Sequence, residues 1–337
     1  MATIQIKPAS LKALDLGSLG VPAGVNEFPP PEFKGERVES RIHSDFRGMG
    51  VAAGFFGTGK TSFWLAGETP SNICFVDMEM KGRLYAEQLG MENYFSPPEE
   101  AASLYGDNYR PIHLYQRVAQ ILHSLPKDRF TMVLLDGVKI LQEGLASEVE
   151  RSPQSYGVKP ANALNGQFGG VYPGVGVIFT KFYAMARAKG VQVLALTSEL
   201  KAKWDSKGPL LNKFEVAGVS ALSKYSILTI LTVPGYPEYL GAPSGLVLKD
   251  SLGTFKGGVP IRRLPIKLPR ATLQDVYGYL DKPADWANPD PREIPSREEM
   301  EPYSSFVGKE QIGLLKAYLE AARSGGLTEP SDVTLED

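Results

Sequence analysis

Gly54-Phe55-Phe56-Gly57-Thr58-Gly59-Lys60-Thr61 is the stretch on which the reading of this 337-residue chain turns. A short apolar run, Gly50 to Ala53, precedes it and reads as a buried strand. Ser62-Phe63-Trp64-Leu65-Ala66 follows and reads as the first turns of a helix. Strand, G-x-x-x-x-G-K-T and helix in that order make a phosphate-binding loop. Its glycines let backbone N–H groups curl round a di- or triphosphate without Cβ clashes. The expected cradle is Gly54, Phe55, Phe56, Gly57, Thr58, Gly59, Lys60, Thr61 and Ser62, with ATP as the ligand. In this pattern Lys60 reaches the β- and γ-phosphates, the Thr61 hydroxyl holds Mg²⁺, and the helix N-terminus adds partial positive charge.

Composition narrows the class. With 43% hydrophobic and 22% charged residues the chain is ordinary for a globular protein able to bury a large core. No apolar run is long enough to span a bilayer, and the opening MATIQIKPAS lacks the pattern of a secretory signal. The single cysteine, Cys74, rules out an internal disulfide and sits in an apolar run as an inert thiol. A cytoplasmic protein without a membrane partner is expected. His43, His113 and His123 lack metal-ligand spacing. Net charge is −2, so the chain as a whole is not a basic nucleic-acid binder. Residues 281–337 carry 6 Lys/Arg against 13 Asp/Glu, which leaves a mildly basic remainder.

The pattern divides the chain in three. Residues 1–45, with Phe28-Pro-Pro-Pro-Glu-Phe33, read as an extended arm. Over 46–235 short apolar runs alternate with helical stretches: strands at 49–53, 73–77, 130–136, 191–198 and 225–233, helices at 82–89, 112–124 and 176–188. In the last helix Val177, Phe179, Phe182, Met185 and Ala186 fall at helical spacing. This alternation predicts an α/β fold with a mostly parallel sheet flanked by helices. A Gly-, Ser-, Asn- and Pro-rich loop is expected over 143–175. Residues 236–337 read as a C-terminal extension: hairpin strands at 245–249 and 260–266, a helix at 271–280, a Pro-rich linker and an acidic tail with a helix at 309–322.

Two acids complete the chemistry. Thr131-Met-Val-Leu-Leu-Asp136 is an apolar strand ending in the aspartate that orients Mg²⁺ through water. In AAA+ ATPases a glutamate follows directly; here Gly137 follows. The strand Ile73-Cys-Phe-Val-Asp77-Met-Glu79 offers another carboxylate, and Glu79 becomes the candidate general base, with Lys60 the other principal catalytic candidate.

On these residues the chain resembles the RecA-like ATPases. Val76-Asp-Met-Glu79, followed by Leu84-Tyr85-Ala86-Glu87-Gln88-Leu89-Gly90, is similar to the RecA segment that holds its glutamate, and Leu135-Asp136-Gly137 to the second acidic motif. The short first helix brings it closest to phage-type RecA-like ATPases associated with single-strand annealing and recombination. The resemblance implies a RecA-like core over 46–235, a homo-oligomer forming a ring or filament, and single-stranded DNA as partner. It implies a γ-phosphate sensor at the end of Leu194-Ala-Leu-Thr-Ser198-Glu199, where this chain has Glu199 in place of the family's Gln, with Ser198 beside it. Residues 144–175 and 204–220 would be the two DNA loops, with Lys201, Lys203, Lys207 and Trp204 supplying charge and a stacking ring.

Arg262, Arg263 and Lys267 lie in a basic hairpin region. They would reach a neighbouring subunit's nucleotide, contact DNA phosphates, or stand as a solvated surface. Two further readings stand beside the ATPase: a kinase of a small molecule or polynucleotide, and a nucleotide-dependent interaction module with little hydrolysis. A kinase lid needs converging arginines, and 144–175 holds only Arg151.

Overall fold

The computed structural model describes residues 28–43, 46–151, 171–205, 208–216, 226–233, 244–250, 255–256, 259–260, 266–268, 272–280, 295 and 297–300. In chain order the elements open with β1 (Gly48–Gly54), α1 (Lys60–Leu65), β2 (Ile73–Asp77), α2 (Arg83–Gln88), β3 (Tyr94–Phe95), α3 (Pro97–Tyr105), α4 (Pro111–Ser124) and β4 (Met132–Asp136). They continue with α5 (Val138–Arg151), α6 (Val171–Ala188), β5 (Val193–Asp205), β6 (Gly208–Val216), β7 (Leu228–Val233) and β8 (Ser244–Asp250). The series ends with β9 (Phe255–Lys256), β10 (Val259–Pro260), β11 (Ile266–Leu268), α7 (Leu273–Leu280) and α8 (Arg297–Met300). This is an α/β fold with mostly parallel strands and flanking helices, as the alternating pattern predicts. No helix among the described residues is long and apolar enough to cross a membrane.

Two compact units divide the chain, Met1–Val38 with Pro70–Leu194, and Glu39–Thr69 with Ala195–Asp337. In the first, β2 lies between β4 and β3 and is parallel to both, Ile73 facing Met132 at one end and Asp77 facing Asp136 at the other. Both five-residue runs are buried throughout, the pattern of strands in a helix-flanked parallel sheet, which leaves no place for alternating polar residues. Helix α4 packs against α3, α5 and α6. It starts cleanly: Pro111 stands at its first position and the Arg110 N–H donates to His113 Nδ1 at 3.1 Å. In α6 Phe179, Phe182 and Ala186 are buried as their spacing requires, Ile178 joins them, and Met185 is half-buried.

The expected arm is built into this unit over residues 28–38. Asn72 and Asn93, both buried, each make a two-way amide pair with its backbone: Asn72 with Val38 N and O, Asn93 with Lys34 N and O. Arg129 donates to the carbonyls of Lys34, Gly35 and Ser71, and Arg117 to Pro29 O. Phe28 meets Tyr105 edge-on, and Phe33 meets Phe95 and Phe130.

In the second unit β1 pairs in parallel with β7, β7 antiparallel with β8, and β8 antiparallel with β11. Trp64, fully buried, lies over Gly50, where an added Cβ would come within 2.3 Å of its ring, and donates through Nε1 to Leu196 O at 3.1 Å. The shortness of α1 has a visible cause. The chain turns at Gly67 against Leu273 of α7, whose Cβ stands 2.6 Å from where a Gly67 Cβ would sit, and Gln274 donates to Gly67 O.

The described parts of two expected loops are regular structure. Residues 144–151 complete α5 and 171–175 open α6; the remainder of that stretch, 152–170, lies outside the described residues. Gly144 is a contact glycine, not a loop glycine: a Cβ there would be 2.9 Å from Pro111. Of residues 204–220, 204–205 end β5 and 208–216 form β6, which pairs antiparallel with it, each strand satisfying the other's backbone; 206–207 and 217–220 lie outside the described residues. The short α8 interrupts the expected Pro-rich linker, and the expected helix at 309–322 lies outside the described residues.

Candidate functional site

The phosphate-type loop belongs to the second unit. Gly57 has φ +75° and Gly59, at the start of α1, φ +86°, a left-handed conformation that glycine adopts without Cβ strain. Beyond Gly57 nothing lies within 4 Å of an added Cβ. Thr58 anchors the loop. Its hydroxyl donates to Phe55 O at 2.8 Å and meets the Thr232 hydroxyl at 2.7 Å. Gly54 makes that contact fit, since a Cβ there would come within 2.1 Å of Thr232 Oγ1 and 2.4 Å of Thr58 Oγ1. Lys60 folds its ammonium back onto the loop, donating to Gly54 O at 3.2 Å and Phe55 O at 2.9 Å. The loop thus holds the Lys60 ammonium against its own backbone carbonyls. Thr61 and Ser62 are half-buried on α1, and Phe56 stands 78% exposed. Thr232 was invisible to motif reading, because only the β1–β7 pairing brings it to the loop.

The acidic candidates belong to the first unit. Asp136 closes β4 and is buried beside Asp77, its register partner. Gly137 follows with φ +79°. An added Cβ there would lie 2.4 Å from Glu79 Cγ and 3.2 Å from both Cδ and Oε1. Glu79 therefore lies across the space that a side chain after Asp136 would use. Its side chain is 17% exposed and its Oε2 pairs with Lys81 Nζ at 3.3 Å. The backbone is tied in as well, with Met78 N donating to Asp136 O at 3.0 Å.

Asp77 holds the turn that presents Glu79. Its Oδ1 accepts from Glu79 N at 2.9 Å, and its Oδ2 from Gly82 N at 2.6 Å and from the Tyr94 hydroxyl at 2.9 Å. Burial first, and then the Asp77 charge beside it, pushes the Tyr94 hydroxyl above its ordinary value, so it stays a donor. Arg83 lies over the Tyr94 ring and pairs with Glu99.

The strand β5 carries the remaining described candidates. Ser198 is buried, Glu199 half-buried and Lys201 exposed. Lys203 and Trp204 follow on the same strand, where the β5–β6 register shifts between Ala202 and Trp204. Lys267 on β11 is engaged by Glu299 at 2.7 Å. Lys207, Arg262 and Arg263 lie outside the described residues.

Compared with known proteins, the chain matches no family model and no curated protein.

Proposed function

We propose that this chain is a RecA-like, Mg²⁺-dependent ATPase that acts on single-stranded DNA in recombination or replication. The observation that carries the reading is the loop itself. Two left-handed glycines, the Thr58–Thr232 anchor and the inward-folded Lys60 ammonium make a preformed cradle of the kind that holds a polyphosphate. An entering phosphate oxygen takes over the hydrogen bonds that Lys60 gives to Gly54 and Phe55 carbonyls. We assign Mg²⁺ to the Thr61 hydroxyl and the Asp136 carboxylate on their chemistry alone, as oxygen ligands of the kind this ion prefers. When bound, the ion neutralises phosphate charge. Glu79 takes a proton from the attacking water as oxygen bonds to the γ-phosphorus and the bond to the bridging oxygen breaks, releasing ADP. Its carboxylate, partly exposed and lying over Gly137, supports that role. For DNA, the support is the exposed Lys201 on the β5–β6 hairpin, with Lys203 and Trp204 following.

ATP turnover by the purified chain, with and without single-stranded DNA, tests the reading alongside Lys60→Ala. Loss of binding or turnover in the variant is expected. Hydrolysis within about twofold of wild type would remove the loop from the chemistry.

A further inference from the structure

We propose that Asp77 is a positioning residue for Glu79: it acts on no substrate atom, and fixes the turn that sets the glutamate in place. The inference rests on the reading of Glu79 as the group that takes the proton from water. Asp77 is fully buried at the end of β2, and both its oxygens are committed to the turn that follows. One oxygen holds Glu79 N; the other holds Gly82 N and the Tyr94 hydroxyl. The two backbone bonds bracket Met80, a non-glycine residue at φ +60° and 54% exposed. A left-handed methionine costs about 1–2 kcal/mol. The conformation persists because the residues on either side of it are pinned to one carboxylate.

The packing round the turn points the same way. A Cβ on Gly82 would lie 2.4 Å from Phe75 Cζ and 3.0 Å from Asp77 Oδ2, so the backbone approaches the carboxylate as closely as glycine permits. On the other side Gly137 leaves room for the Glu79 stem. The glutamate is therefore held from its backbone by Asp77 and given its path by Gly137. Tyr94 completes the arrangement from β3, its hydroxyl adding a third donor to Asp77. Three donors fix the orientation of the carboxylate; an amide at this position sets its NH2 group against at least one of them.

The test is a double-mutant cycle on ATP hydrolysis, with Asp77→Asn, Glu79→Gln and their combination, and with nucleotide affinity measured separately. Asp77→Asn is expected to lower kcat about tenfold or more, the scale of a misplaced reacting group, with ATP affinity within about twofold of wild type. In the Glu79→Gln background it is expected to add nothing, because the group it places is already gone. Tyr94→Phe, which deletes one donor, is expected to give a smaller loss with the same unchanged affinity, and it decides the matter if Asp77→Asn does not fold. A normal kcat in Asp77→Asn or, failing that, in Tyr94→Phe, with Glu79→Gln inactive, overturns the positioning role and leaves Glu79 standing. An additive loss in the double variant overturns it in favour of a purely structural role. Normal hydrolysis in Glu79→Gln removes the reading of Glu79 and this proposal together.

Discussion

Replacing Gly137 by alanine separates two quantities that usually move together. The residue has φ +79°, where an alanine costs about 1–2 kcal/mol. The new methyl would stand 2.4 Å from Glu79 Cγ. That atom belongs to a flexible, partly exposed side chain, so the glutamate swings aside and the backbone need not move. The folding cost should therefore stay near the backbone figure, a fall in Tm of roughly 2–4 °C for each kcal/mol in a chain of this size. Hydrolysis should suffer more. A displaced general base forfeits about 10²-fold or more, equivalent to about 2.7 kcal/mol of barrier. ATP affinity should stay within about twofold, since the loop proposed to bind phosphate is untouched. The assays are steady-state hydrolysis at saturating ATP, nucleotide binding by titration and a thermal melt. A variant that melts a few degrees lower yet hydrolyses within about twofold of wild type would show that the carboxylate over Gly137 takes no part in the reaction.

Other outcomes follow from single contacts. Thr232→Val removes the hydroxyl that meets Thr58, worth about 1 kcal/mol, so ATP should bind roughly fivefold more weakly by titration; unchanged affinity would show the loop holds its shape without that anchor. Burial pushes the Cys74 thiol well up, with the nearby Arg129 opposing it. The folded chain keeps this proton while the unfolded chain loses it above about pH 8.5, so stability is full below that pH and falls as pH rises. Cys74→Ala should flatten the decline in denaturant midpoint between about pH 8 and 9.5, and an unchanged slope would exclude the thiol as its source. Lys201→Ala should weaken the binding of labelled single-stranded oligonucleotide in fluorescence anisotropy and reduce its salt dependence, whereas no binding at low salt by the wild type would remove DNA as a partner.

What the sequence disclosed was whatever is written in consecutive residues. The glycine-rich turn from β1 into α1, the 73–77 strand and the aspartate closing β4 need only local pattern, because a buried strand is apolar throughout and stops where polarity returns. Glycine was the misleading residue. Gly144 suggested a loop, yet it serves close contact with Pro111 inside a continuous helix. The sequence pattern ends the strand at 198 and starts a loop at 204, yet β5 continues to Asp205 because β6 supplies its hydrogen bonds. Thr232 and Asp77 carry no motif of their own. Thr232 acts across 174 positions of chain. Asp77 is indistinguishable from any other strand-ending aspartate until its three donors are seen.

The segment 28–38 behaves thermodynamically as a tethered ligand. Its recognition is largely by main-chain groups, through Asn72, Asn93, Arg117 and Arg129, with Phe28 and Phe33 as aromatic anchors and the Arg37 side chain donating to Asp128 O. Between those anchors, residue identity matters less than the ability to stay extended. Tethering fixes the effective concentration, so the unit's stability includes a binding free energy that dilution cannot remove. Cutting the tether would turn that constant into an ordinary concentration-dependent association, and two buried asparagine amides would then count as an empty receptor's exposed contacts.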